Sequence, residues 1–421
     1  MTIVLGVLFA LLFFALILAS IALHEVGHMV PAKKFGVRVP QYFVGFGKTV
    51  WSARRGETEY GIKAIPLGGY VRLVGMYPPA SKHRTGRLAE IAEDARAAEA
   101  ETILPTDVEN KRLFYQLKTW QKLVVMFGGP FMNILLAFLI FLGVNTVYGQ
   151  QQLTMTVDRV VSCVEEPPAP CVAPPGKAAG LQQGDKVVAF NGTPVTAWSQ
   201  LVGLVRANGG NTVTLAVERG GQRVDLAPVP GAVRQVQSLD DPSKTVQAGY
   251  LGVAPSSALV KVGPVQTAVD MWELTRQSLT ALAQFPVKVF TVAWDMVTGK
   301  PRDVNGPISI VGASRVAGEI ATTDSLTPGS RVASFFGLLG GVNLFVALLN
   351  LVPLLPFDGG HMAGALWEGL RRAVARLRGR PDPGHVDTAR LLPVAYVVGG
   401  FLVLAGAILV IADIISPVRI F

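Results

Sequence analysis

Four stretches of this 421-residue chain are almost purely apolar for 20 or more positions: about 3–29, 123–147, 333–356 and 391–415. A helix needs roughly 20 apolar residues to cross the hydrocarbon core of a bilayer, so each predicts a transmembrane helix. The first has no Lys or Arg before its apolar run and no evident small-residue cleavage site, which predicts a retained span rather than a removed signal peptide. A fifth apolar stretch, Val265 to Val297, carries Asp270, Glu273, Arg276, Lys288 and Asp295. That charge load predicts an interfacial helix within a juxtamembrane segment, 259–332, rather than a span. Between spans the pattern changes. Residues 40–76 alternate short apolar and polar runs with many glycines, and Arg54-Arg-Gly-Glu57 has the chemistry of a hairpin turn. This predicts β-structure against the membrane, either a plain meander or a sheet edge that receives an extended peptide. A surface helix is expected over Ile91–Thr102, and a globular domain over 150–258.

Half the residues are hydrophobic and only 16% are charged, which excludes an ordinary soluble domain and fits a multi-span membrane protein. The net charge of +9 clusters beside the spans and accompanies no nucleic-acid recognition motif, so no nucleic-acid partner is expected. Residues 30–122 carry 16 Lys plus Arg in 93 positions, against 15 in 184 for residues 149–332. Arginines crowd again between 357 and 390. The positive-inside rule then places 30–122 and the loop 359–390 in the cytoplasm, with both termini and the 150–258 domain outside. Both cysteines, Cys163 and Cys171, fall in that external region, where a disulfide is favoured over two free thiols.

The first span ends in His24-Glu25-Val26-Gly27-His28. Histidines at i and i+4 share a helix face and can hold one Zn2+, with Glu25 beside it as general base. A hydrolytic zinc site keeps three protein ligands and one open position. The third ligand is sought in Asn350-Leu-Val-Pro-Leu-Leu-Pro-Phe-Asp-Gly-Gly-His361, at the end of the segment 333–358. Pro353 and Pro356 must break the helix there, leaving Asp358 on irregular backbone, which membrane depth allows only within protein or beside a cavity. With four spans, spans one and three end on the same face, so Asp358 can meet the histidines; a fifth span would separate them. Asp358 is favoured over His361, because an acid in an apolar turn is expensive unless paired or metal-bound. Asn133, in Phe127-Gly-Gly-Pro-Phe-Met-Asn, is expected near the metal or bonded to backbone. Asn350 is expected to polarise a substrate carbonyl or to satisfy freed backbone. His83 and His385 are expected to be solvated.

Two resemblances follow from these residues. Gly176 to Val195 resembles the core of a PDZ domain: a Gly-Leu pair that opens a short helix, then Gly-Asp, a strand and Asn-Gly. The whole ordered set of motifs resembles the site-2 protease family, in particular bacterial regulator of sigma-E proteases of the single-PDZ type seen in actinobacteria. The resemblance implies a polytopic α-helical membrane protein with four transmembrane helices, a membrane-associated β-region and one extracytoplasmic PDZ domain (α+β), set in the bacterial plasma membrane with its active site near the cytoplasmic side. It implies an intramembrane zinc endopeptidase that cuts single-span proteins, such as anti-sigma factors trimmed first by an upstream site-1 protease, or remnant signal peptides. His24, His28 and Asp358 would bind zinc and Glu25 would be the catalytic base. Asn133 and Asn350 would line the site. The stretch Gly61 to Gly75, including Gly68 and Gly69, would contact substrate, while the PDZ domain would filter substrates by size or take peptide ends. The competing classes are a PDZ-presenting scaffold with a vestigial metal and a zinc transporter; the second wants more polar residues on spans two and four than Asn133 and Asp413 supply.

Overall fold

The structure, a computed structural model, describes residues 2–79, 87–163, 172–237 and 245–418; His83 and Cys171 lie outside them. In chain order the elements begin with α1 (Thr2–Lys34), β1 (Gln41–Arg55), β2 (Thr58–Arg72), α2 (Arg87–Ala100), α3 (Pro105–Glu109) and α4 (Thr119–Val147). The middle of the chain holds β3 (Gln150–Val160), α5 (Pro175–Ala178), β4 (Lys186–Phe190), β5 (Thr193–Pro194), α6 (Trp198–Ala207), β6 (Thr212–Val213), β7 (Leu215–Arg219), β8 (Gln222–Asp225), β9 (Val229–Pro230), β10 (Ala232–Gln237), β11 (Thr245–Tyr250) and β12 (Val253–Val260). It closes with α7 (Pro264–Thr298), α8 (Ile310–Thr322), α9 (Pro328–Asn350), α10 (Asp358–Leu377) and α11 (Leu392–Ile415). The chain divides into two compact units, Gly149–Val262 and the remainder.

In the larger unit, four helical stretches are long and apolar enough to cross a membrane: Thr2–Lys34, Thr119–Val147, Pro328–Asn350 and Thr388–Ile415. They match the four apolar runs, and α7 is not among them. Two packing clusters build the frame. Phe13 and Ile17 of α1 pack against Val316, Ala317 and Ile320 of α8 and Phe335 and Leu339 of α9. Met29 and Ala32 of α1 pack against Val125 and Met126 of α4, together with Val39 and Leu73 at the base of the β-structure.

The β-structure is more than a hairpin. The turn falls at Gly56-Glu57 as the sequence indicates, but residues 41–44 pair on both sides, once with 59–62 and once with 69–72. The two long strands therefore bend so that four segments pair edge to edge in one sheet. Its outer strand, 69–72, has no further strand partner among the described residues. Tyr42 holds the ladder to α1 by donating its hydroxyl to the Ala22 carbonyl at 2.8 Å. Beneath it, the buried Asp107 accepts from Arg38 Nε at 2.8 Å and from the Leu104 amide at 2.9 Å.

The smaller unit holds a six-stranded sheet in the order β12-β3-β4-β7-β8, with β5 on β4, over a core of Val157, Val187, Phe190, Leu201, Leu215 and Val217. The Gly184-Asp185 pair leads into β4, which ends at Asn191-Gly192 as expected. The Gly-Leu pair does not open the short helix: α5 lies before it, and Gly180, at φ +86°, ends the turn. Cys163 is disulfide-bonded.

Two further expectations need correction. Asp358 does not sit on irregular backbone. The break spans 351–357, and Asp358 is the first residue of α10, where a carboxylate suits the positive end of the helix dipole. Nor is 359–390 simply a loop, because α10 occupies its first half.

Removing the Asp107 carboxylate strands the buried Arg38 guanidinium. Asp107→Ala is therefore expected to destabilise the larger unit by about 3–5 kcal/mol, read as a lower unfolding temperature of the full-length protein in detergent.

Candidate active site

The helical period carries His24 and His28 to one side of α1, where both are buried. Their ring tautomers are set from behind. His24 Nδ1 donates to Asn133 Oδ1 at 3.1 Å, and His28 Nδ1 donates to the Val125 carbonyl at 2.8 Å. Each proton is thus held on Nδ1, and each Nε2 lone pair is free to point forward. The two Nε2 atoms lie 3.2 Å apart. Asp358 Oδ2 lies 3.3 Å from both. With both ring protons on Nδ1, the two neutral rings have no proton to share between their Nε2 atoms, and the buried Asp358 Oδ2 has no hydrogen-bond partner.

Three lone-pair donors this close repel unless a proton or a metal ion lies among them. Zinc ligands sit about 2.0–2.1 Å from the ion, so a tetrahedral arrangement spaces them about 3.3 Å apart. The observed separations of 3.2, 3.3 and 3.3 Å fit that figure, and His24, His28 and Asp358 form the metal-capable group of the described residues.

Glycines make this convergence possible. A Cβ on Gly128 would overlap the Gly27 carbonyl, and one on Gly129 would overlap the Nε2 atoms of both histidines. The Gly128-Gly129 pair therefore lets α4 touch α1 backbone to backbone at the depth of the metal site, as small residues do between helices in lipid. At the break after α9, a Cβ on Gly359 would overlap the Val352 carbonyl. The Asp-Gly-Gly sequence can thus fold back onto 351–355 and turn Asp358 inward.

A cavity of about 420 Å³ opens in front of the three donors. Glu25, Asn350, Gly68, Gly69 and His361 line it. A Cβ on Gly69 would lie 3.3 Å from Glu25 Cγ, so the edge strand 69–72 runs directly past the carboxylate. Val71 of the same strand lines the cavity together with Glu25. His361 faces the cavity but stands outside the three-donor group; burial drives its imidazole down to about 4, so it is neutral at physiological pH. Asn133 does not line the cavity. It lies behind His24, 1% exposed, and orients that ring.

Sequence reasoning missed a second polar cluster. Lys122 of α4 donates to Glu368 of α10 at 2.8 Å, with both side chains buried. His385 is not solvated: its Nδ1 lies 3.3 Å from Glu368 Oε1, and its ring meets Tyr115 edge-on. Arg372 pairs with the same carboxylate at 3.0 Å. Burial alone would raise the Glu368 carboxyl, but His385, Lys122 and the Val386 amide together hold it down at about 2. The ionised Glu368 pins α10 against α4 three turns beyond Asp358. The partners lie 246 positions apart in the case of Lys122, so no local pattern announces them. The Lys122 charge immediately before the apolar run 123–147 was the available signal.

The model of peptidase family M50 matches residues 12–381. The chain is 36% identical to "Zinc metalloprotease Rip1" of Mycobacterium tuberculosis (strain H37Rv), over 97% of this chain and 98% of that protein. It is 34% identical to the protein of the same name from Mycolicibacterium smegmatis, with the same coverage. It is 27% identical to "Metalloprotease MmpA" of Caulobacter vibrioides, over 85% of each chain. A PDZ domain of an SdrC-like protein from Listeria monocytogenes aligns over 26% of this chain and 90% of that one, at 14% identity and a TM-score of 0.16. Zinc is accordingly the cofactor. Gly129→Ala, which places a methyl group against both imidazoles, is expected to abolish zinc retention. Asn133→Ala, which only frees the His24 ring, is expected to weaken it roughly 10- to 100-fold. Metal content of the purified full-length variants checks both. Motifs, coverage and a donor set of zinc dimensions agree: the chain belongs to peptidase family M50, the site-2 proteases, and is a zinc metalloprotease.

Proposed function

We propose that this multi-pass membrane protein cleaves peptide bonds of other single-span membrane proteins inside the bilayer, with His24, His28 and Asp358 as zinc ligands and Glu25 as general base. The observation that carries the reading is the location of the donors. Two lie on a helix fit to cross a membrane, and the third opens the helix that follows the break after another, at 351–357. The cavity they face is bounded by the unpaired edge strand 69–72.

A transmembrane substrate arrives as a helix whose peptide bonds are shielded by their own hydrogen bonds. Pairing with the Gly69–Val71 edge supplies replacement partners and holds the segment extended across the site. Zinc held by His24, His28 and Asp358 would supply Lewis acidity at this point. Glu25 then takes the proton of the attacking water and returns it to the leaving amine. Asn350, on the cavity wall, hydrogen-bonds the scissile carbonyl as negative charge develops on its oxygen. His361 stays neutral and shapes the wall.

The charge asymmetry of the loops supports an orientation with the site near the cytoplasmic face and with both termini and the 149–262 unit outside. In that orientation the external unit, read as a PDZ domain, meets the outer end of a substrate first. The substrates so described are anti-sigma-factor-like proteins trimmed by an upstream site-1 protease, and remnant signal peptides.

Glu25→Gln preserves shape and all three zinc ligands while removing the base. Cleavage of a co-expressed tagged single-span substrate is expected to fall by roughly 10²–10⁴-fold, with zinc content unchanged. Undiminished cleavage by Glu25→Gln rules out the assigned mechanism; undiminished biological activity without any cleavage favours a scaffold.

A further inference from the structure

One face of α10 is occupied by neither the metal site nor the Lys122 cluster. The buried side of this helix, including Ala365 and Glu368, faces α4. The opposite side carries Leu366, Leu370 and Leu377 at helical spacing, 56%, 55% and 87% exposed, with Trp367 beside them at 56%. Arginines flank this stripe. Residues 369–381 contain Arg371, Arg372, Arg376, Arg378 and Arg380 and no acidic residue. Arg372 is engaged by Glu368 and Asp382. Arg371 donates to the Pro383 carbonyl at 3.2 Å, which fixes the guanidinium at the rim of a groove. That groove, of about 320 Å³, has Trp367, Leu370 and Val374 along its floor and Arg371, Arg378 and Arg380 around it. A helix with an apolar stripe edged by arginines and an exposed tryptophan is built to lie in a membrane surface rather than in water. An apolar groove ringed by guanidinium groups complements one chemistry in particular: a phosphate diester attached to hydrocarbon.

We propose that this face of α10 lies in the bilayer surface and that Arg371, Arg378 and Arg380 hold the headgroup of an anionic phospholipid, its acyl chains running along Trp367 and Leu370. The orientation read above names the leaflet as the cytoplasmic one; the site itself does not depend on that reading or on proteolysis. The helix that docks is the helix that begins at Asp358. Leu370 lies 12 residues farther on, about 18 Å along one rigid rod. Lipid engagement therefore bears on where the third zinc ligand stands.

The test uses full-length protein carrying an environment-sensitive fluorophore on Leu370→Cys, in nanodiscs of phosphatidylcholine alone or mixed with phosphatidylglycerol. The expected result is a blue-shifted emission in the anionic discs, quenched by brominated phosphatidylglycerol. It is expected to be lost in the Arg371→Gln/Arg378→Gln/Arg380→Gln protein, whose zinc content reports intact folding. If that variant does not fold, the dependence on lipid composition in the Leu370→Cys protein alone decides. Equal emission in neutral and anionic discs overturns the proposal, as does persistence of the shift in a folded triple variant. A shift reproduced in neutral discs by inorganic phosphate marks a free-anion site and overturns the lipid assignment.

Discussion

The larger unit is organised around three lone-pair donors that converge on one point. Two imidazoles, each with its proton held at the back of the ring, aim their lone pairs at one carboxylate oxygen across 3.2–3.3 Å. In water such a cluster would protonate or drift apart. Here, Asn133 and the Val125 carbonyl fix the tautomers, and the glycines of α4 close the space behind. Backbone freedom and helix continuity are given up to hold three like-natured atoms together, in a group with the spacing of metal ligands.

The other elements follow from bringing Asp358 to that point. A carboxylate at membrane depth is expensive, and a continuous helix would have carried position 358 past the histidines. Pro353 and Pro356 stop α9, and two glycines let the chain fold back. A new helix then starts with the acid at its first residue. That restart needs its own anchor, which the buried Lys122–Glu368 pair provides from α4. The same helix, α4, therefore supports both halves of the site: Gly128, Gly129 and Asn133 against the histidines, and Lys122 against the arm that bears Asp358.

What was legible in the sequence was what repeats locally or obeys topology. The apolar runs give the spans because hydrophobic length is a one-dimensional signal. The i, i+4 histidines give the face, and Asp358 is found beside them, as the motif order leads one to seek it. The hairpin turn at Gly56-Glu57 was visible, yet the second pairing of 41–44 with 69–72 was not, because it depends on bends within long strands that no alternation pattern records. Asn133 was placed near the metal, but its part as a ring-orienting acceptor depends on which side of His24 it approaches. His385 and Glu368 were out of reach for the same reason: pairing across distant segments has no local signature. Helix α10 was legible in principle. Its period from Leu366 to Leu377 is clear, but the arginines dominated the reading and suggested a loop.

The polar residues on the spans separate structural from chemical roles. Asn145 donates to Thr267 at 3.0 Å, which ties the end of α4 to the start of α7. Asp413 of α11 pairs with Arg302 and accepts from the Ser309 amide at the start of α8. Each is a closed account, a polar group satisfied by a neighbour, as lipid demands. Asp358 differs because its buried oxygen faces only other acceptors. Depth in the membrane makes an unsatisfied carboxylate more costly than it would be at a surface. An open polar atom is not enough by itself: Asn343 Oδ1 on α9 also lacks a partner, but its amide is uncharged and stands outside the metal-capable group, so it is the convergence of Asp358 with two imidazoles that sets the site apart.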